Sequence, residues 1–129
     1  MKNERCSKRY KSGLIGEELA IAYFKKQSFV LLARRFKTKN GEIDAIFSND
    51  KLKLLVFVEV KRRKEIYDYD KVISKNQWNR IYSASIDFIE QSSQKYNDYT
   101  IRYDAFICFL NTDNFFHIEN ILTNDNILV

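Results

Sequence analysis

The stretch from Leu52 to Arg62, LKLLVFVEVKR, constrains the fold more than any other part of the chain. Extended, it places Leu54, Val56, Val58 and Val60 on one face, with Leu55 and Phe57 on the other leading into Glu59 and Lys61. A strand that is apolar on both faces belongs in the middle of a sheet covered on both sides. An acidic residue leading out of LLVFV is expensive to desolvate unless a cation stands nearby, so the end of this strand calls for a partner.

The flanking patterns supply the rest of such a sheet. Ser12 to about Gln27 reads as a helix with Ser12 as N-cap and a core-facing stripe of Ile15, Leu19, Ala22 and Tyr23. Glu17 shares another face with Ala20, Ile21 and Phe24, which places a carboxylate among apolar neighbours. Phe29 to Phe36 and Glu42 to Ser48 read as strands joined by the polar turn Lys37 to Gly41, and the second pairs with Leu52 to Arg62 as an antiparallel hairpin. Residues 63–73 read as a mobile loop beside a site. Ser74 and Gln77 form a capping box, with Ile73 and Trp78 placed as a hydrophobic staple. Trp78, Ile81, Tyr82, Ser85, Phe88 and Ile89 trace one face of the helix that follows, to about Gln94. Two last strands, Thr100 to Leu110 and Phe115 to Leu122, flank the turn NTDN. The expected fold is α/β, a central mixed sheet flanked by helices in the order α-β-β-β-α-β-β. At 129 residues it forms one domain, 1–129, with 1–11 as a basic N-terminal arm.

Several function classes fall away. With no proline and three glycines (Gly13, Gly16, Gly41), the chain has no Gly-rich phosphate loop of the P-loop or dinucleotide type. It has no G-x-S-x-G, and its one histidine, His117, reads as a strand residue without an identifiable partner, which disfavours a serine or cysteine hydrolase. Cys6 and Cys108 form no C-x-x-C, and a structural zinc site could not be assembled without carboxylates. The longest wholly apolar runs, Leu19 to Phe24 and Ala105 to Leu110, fall far short of the roughly eighteen residues that span a bilayer. The basic start MKNERCSKRYKSG lacks an apolar secretory core, so a cytoplasmic location is expected.

Charge is unevenly divided. Residues 1–64 hold 17 Lys and Arg against 7 Asp and Glu, and residues 65–129 hold 5 against 10. Clusters at Lys8, Arg9 and Lys11, at Arg34, Arg35, Lys37 and Lys39, and at Lys61 to Lys64 suit a phosphate-facing surface; a merely solvated basic face is the alternative. Between those clusters, GEID puts Glu42 and Asp44 on one strand face, and VEVK puts Glu59 and Lys61 on one face of the next. If the hairpin pairs, carboxylates and an ammonium converge. Such a group suits phosphodiester hydrolysis with Mg²⁺, which takes a few carboxylate oxygens and leaves positions for water and phosphate. A lysine beside it can orient the water or stabilise developing charge. The rival readings are an ordinary ion pair of Glu59 with Lys61 and a turn-starting Asp44.

The segments GLIGEELAIAYF (13–24), LLARRFKTKNGEIDAI (31–46), VFVEVKRR (56–63), SKNQWNRIYSAS and IRYDAF (101–106) run in order over nearly the whole chain. On these the chain resembles the YraN-like family of small uncharacterised bacterial proteins. These are similar to nucleases of the PD-(D/E)-x-K, or restriction-endonuclease-like, superfamily, particularly archaeal Holliday junction resolvases. The resemblance implies a restriction-endonuclease-like fold and a metal-dependent DNA endonuclease. Asp44 and Glu59 would be metal ligands for Mg²⁺ or Mn²⁺, Lys61 the catalytic lysine, and Glu17 the first-helix acid that joins them. A first-turn glutamate favoured by the helix dipole is the alternative for Glu17. Arg34, Arg35, Arg62 and Arg63 would contact DNA phosphates, branched DNA would be a substrate, and symmetric cutting would imply a homodimer.

Glu42 fits a supporting role, and Arg102 with Asp104 fits a structural salt bridge. One departure stands out: family members carry a lysine near the start of the second helix where this chain has Gln77, with Lys75 two residues earlier. Either Lys75 reaches the phosphate or that contact is lost. Two other classes remain open: a nucleic-acid-binding module without turnover, and a protein-interaction domain.

Overall fold

The computed structural model describes residues 4–64, 73–110 and 112–121, with side chains from Ile15 onward. Helix α1 (Glu4–Lys26) leads into β1 (Val30–Thr38), β2 (Gly41–Asn49) and β3 (Leu54–Arg63). Helix α2 (Lys75–Gln91) then precedes β4 (Thr100–Phe109) and β5 (Phe115–Ile118). The five strands form one sheet in chain order, antiparallel except for β3 and β4, which run parallel and are joined through α2. This is the α-β-β-β-α-β-β order and the mixed sheet expected, with β3 at its centre.

The loop expected over 63–73 falls mainly on 65–72, outside the described residues, as do the side chains of Lys8, Arg9 and Lys11. The helix start differs from expectation. Ser12 is an interior residue and α1 begins at Glu4, because residues 4–12 hold neither glycine nor proline and are rich in Glu, Arg and Lys, which propagate a helix well. What ends α1 is specific. The Phe29 N–H donates to the Phe24 carbonyl (3.1 Å) and the Ser28 N–H to that of Lys25 (3.1 Å), with Ser28 at a φ of 70°. This is a Schellman motif, and the rings of Phe24 and Phe29, 5.4 Å apart edge to face, supply its hydrophobic contact.

Each sheet face carries its own core. Ala20, Ile21 and Phe24 of α1 pack with Phe47, Val56, Val58 and Phe106; Ile81 and Ala84 of α2 pack with Ile46, Leu55, Phe57 and Ile107. The stripe expected on α1 is therefore corrected: Ile15 is exposed, and the buried face is the one that carries Glu17. Leu19 to Phe24 is apolar all round, so periodicity alone fits either face, and close approach decides. A Cβ on Gly16 would stand 2.8 Å from Cys108 Sγ, so this side of the helix lies directly on the sheet. Gly41 works similarly beneath α2, where a side chain would run into the Arg80 carbonyl. Ser74 caps α2, accepting from the Gln77 N–H at 3.2 Å, and Ile73 and Trp78 join the same core as anticipated.

Candidate functional site

The β2–β3 ladder runs from Asn49 and Leu54 to Ala45 and Val58 and stops there. Beyond it the strands fork. The Val60 N–H donates to Asp44 Oδ2 at 2.7 Å, so a side chain takes the place of a partner strand's carbonyl. Glu59 lies in the fork on the α2 face of the sheet, next after Leu55 and Phe57, and is 9% exposed. Asp44 and Glu59 are hydrogen-bonded to each other, and Lys61 Nζ stands 3.6 Å from Glu59 Oε1. The structure thus brings together Asp44, Glu59 and Lys61.

Burial, reinforced by the charge of Asp44 and the hydrogen bond to it, pushes the Glu59 carboxyl up to about 8, against the opposing pull of Lys61. Burial raises Asp44 as well, countered by its hydrogen bonds with Glu59 and the Val60 N–H. Adjacent desolvated carboxyls resist ionising together, which favours a protonated Glu59 near neutral pH. Two converging carboxyls fit Mg²⁺ or Mn²⁺, which use one or two protein carboxylates and leave other positions to water and phosphate.

Glu17 is tied instead to two arginines. Arg35 grips it with Nε to Oε1 at 3.0 Å and NH2 to Oε2 at 2.8 Å; Arg34 adds NH2 to Oε2 at 3.3 Å and reaches Glu18 at 3.1 Å. The Arg35 hydrogen bonds, more than its charge, hold the Glu17 carboxyl below the usual range. Among the described residues no three His, Cys, Asp or Glu side chains gather as a metal cluster. Glu17 borders the pair closely enough for its charge to raise Asp44. Glu42 is exposed and opposite Lys37 in the β1–β2 ladder. Arg62 and Arg63 end β3, where an Arg63 guanidinium nitrogen donates to the Arg62 carbonyl at 2.8 Å. Lys75 and Gln77 occupy the first turn of α2. That turn leads to Trp78, whose ring meets Tyr103, itself stacked on Phe57 one pleat before Glu59.

On the opposite, α1, face lies a buried cluster that overturns the reading of His117 as partnerless. His117 Nε2 is 2.7 Å from Asp104 Oδ2, and its Nδ1 is 2.8 Å from the Tyr23 hydroxyl. Asp104 also accepts a fork from Arg102 (2.9 Å) and the Asn120 N–H (2.9 Å). Both ring nitrogens of His117 and the Asp104 carboxylate thus have partners. The Arg102–Asp104 salt bridge is as expected. The signal for the rest was a polar residue in phase with apolar ones in both FFHI and YDAF, since buried polar groups need partners.

The profile of Uncharacterised protein family UPF0102 matches residues 16–108, which include Glu17, Asp44, Glu59 and Lys61. The chain belongs to this family. A UPF0102 protein of Rhodopseudomonas palustris is 34% identical over 103 residues, covering 80% of this chain and 77% of its own length. One from Nitrobacter winogradskyi is 33% identical over 98 residues (76% and 80%), and one from Campylobacter jejuni 33% over 94 residues (73% and 81%). The UPF0102 match confirms the YraN-like membership expected from the motifs. It ends before His117, so the strand fork lies inside the matched region and the histidine of the Asp104 cluster outside it. No helix among the described residues is long and apolar enough to cross a membrane.

Proposed function

We propose that this UPF0102 chain is a metal-dependent DNA endonuclease of the PD-(D/E)-x-K kind, hydrolysing phosphodiester bonds at the fork between β2 and β3. The observation that carries the reading is the buried Glu59 carboxyl coupled to the half-buried Asp44, with Lys61 beside it at the end of an apolar central strand. Nothing in strand packing requires two acids to be desolvated together, and doing so is costly unless a cation compensates them.

Asp44 and Glu59 would hold Mg²⁺ or Mn²⁺, which when bound lowers the pKa of an attacking water and neutralises phosphate charge. Asp44 is fixed for this by the Val60 N–H, which orients its carboxylate before any ligand arrives. Glu59 would give up its proton to such a cation. Lys61, 3.6 Å from Glu59 Oε1, would orient the nucleophile or stabilise the developing oxyanion. Arg34, Arg35, Arg62, Arg63 and Lys75 supply cationic contacts to the backbone, with Gln77 a neutral donor at the start of α2. Branched DNA as substrate, and a homodimer to cut it symmetrically, complete the reading.

The test is calorimetric titration of wild type and Glu59→Gln with Mg²⁺ and Mn²⁺, followed by incubation with labelled duplex, single-stranded and four-way-junction DNA. Metal binding and cleavage lost together in the variant support the assignment. DNA affinity without metal binding or cleavage by folded wild type would leave a binding module instead.

A further inference from the structure

Arg34 and Arg35 are consecutive in a strand, and strand alternation would send their side chains to opposite faces. Arg35 instead adopts a φ of 50°, the left-handed region that a non-glycine residue enters only under strain. Both guanidiniums close on the same carboxylate as a result. Backbone strain of this kind persists where the surroundings enforce it, and here it serves to aim a second cation at Glu17.

The exposures are unequal. The Arg34 and Arg35 side chains are 36% and 57% exposed, while the Glu17 side chain they grip is 14% exposed. A doubled guanidinium fork therefore faces solvent at the rim of the Asp44–Glu59 fork, with its donors engaged by an anion from the chain itself. Guanidinium forks bind carboxylate and phosphate oxygens with the same bidentate geometry.

We propose that Glu17 is a built-in stand-in for phosphate: it keeps the Arg34–Arg35 fork shut, and a backbone phosphate of nucleic acid displaces it. The choice of nucleic acid rests on the proposed function, whereas the guard rests on the clamp geometry. No covalent bond changes. The phosphate takes over guanidinium N–H donors, and Glu17 is freed as a full negative charge beside Asp44. Phosphate binding and cation binding at the neighbouring pair then favour each other, by the reciprocity of linked sites.

A clamp that only ties α1 to β1 makes the opposite predictions. Binding of a fluorescein-labelled oligonucleotide is measured by anisotropy in EDTA over a series of salt concentrations. The proteins compared are wild type, Glu17→Gln, the Arg34→Gln/Arg35→Gln pair, and all three substitutions together. Glu17→Gln is expected to bind about three- to tenfold more tightly at low salt, with a log–log salt slope steeper by about one to two. That gain disappears in the arginine-free background. Affinity of Glu17→Gln equal to or below wild type, or a gain that survives without the arginines, overturns the proposal. Should Glu17→Gln misfold, the Arg35 Nε–H resonance of wild type gives the answer: it moves on addition of oligonucleotide if the guard opens, and a stationary resonance overturns the idea. Because both measurements are metal-free, loss of the endonuclease reading would show separately, as absent Mn²⁺ heat in wild type.

Discussion

Glu59 holds its proton up to a pH of about 8, first because it is buried and then because Asp44 adds its charge. In the unfolded chain that proton leaves near 4.5, so folding takes up a proton between these values. The contribution of protonated Glu59 is whole below 4.5 and is lost as pH rises through about 8. The melting temperature of the metal-free protein should therefore fall from pH 5 to pH 8.5. In Glu59→Gln the fall should flatten, and at pH 8 the variant should melt about 3–6 °C higher, the shift produced by roughly 1 kcal/mol. Parallel melting profiles for the two proteins would contradict this. Lys61 has a different signature, because it contacts Glu59 without being a ligand. On the proposed endonuclease reading, Lys61→Met should reduce cleavage by about 10²–10⁴ while Mn²⁺ affinity, read by calorimetry, changes only a few-fold.

The elements differ in how much of them shows in the sequence. GEID and VEVK announced two adjacent strands with converging acids, and period two placed Glu59 and Lys61 on the same face as Leu55 and Phe57. Ser74 announced α2 through a contact three residues long. The face of α1 was not readable, because Leu19 to Phe24 is apolar all round and the deciding contact, Gly16 on Cys108, spans the chain. The grip of both arginines on Glu17 was equally hidden, since it depends on a left-handed residue inside a strand. At the end of α1, Ser28 occupies a conformation better suited to glycine. Ser28→Gly should stabilise the protein by about 1 kcal/mol, seen as a higher denaturant midpoint with an unchanged slope. No gain would mean that Ser28 compensates through a contact that the helix end does not reveal.

Across the whole molecule, the two sheet faces divide the labour. The α2 face carries the fork acids, and the α1 face carries the Asp104 cluster, which ties β4 to β5 through His117 and to α1 through Tyr23. Its partners come from four places in the chain, and Tyr23 and His117 are 94 residues apart, so no local pattern could reveal it. Asp104→Ala should cost about 3–5 kcal/mol in urea unfolding because it removes a buried carboxylate that Arg102, His117 and the Asn120 N–H all contact, and any residual folded protein should keep the Mn²⁺ affinity proposed for the fork. A parallel loss of metal binding would show that the two faces are coupled. The fork itself has an evolutionary corollary. Asp44 both faces the site and closes the backbone of β3 at Val60, while Glu59 and Lys61 close no strand in this way. A lineage that abandons the chemistry is free to discard Glu59 and Lys61, yet must keep an acceptor at position 44. Relics of the proposed nuclease site would be recognised by an aspartate or asparagine that has outlived its companions.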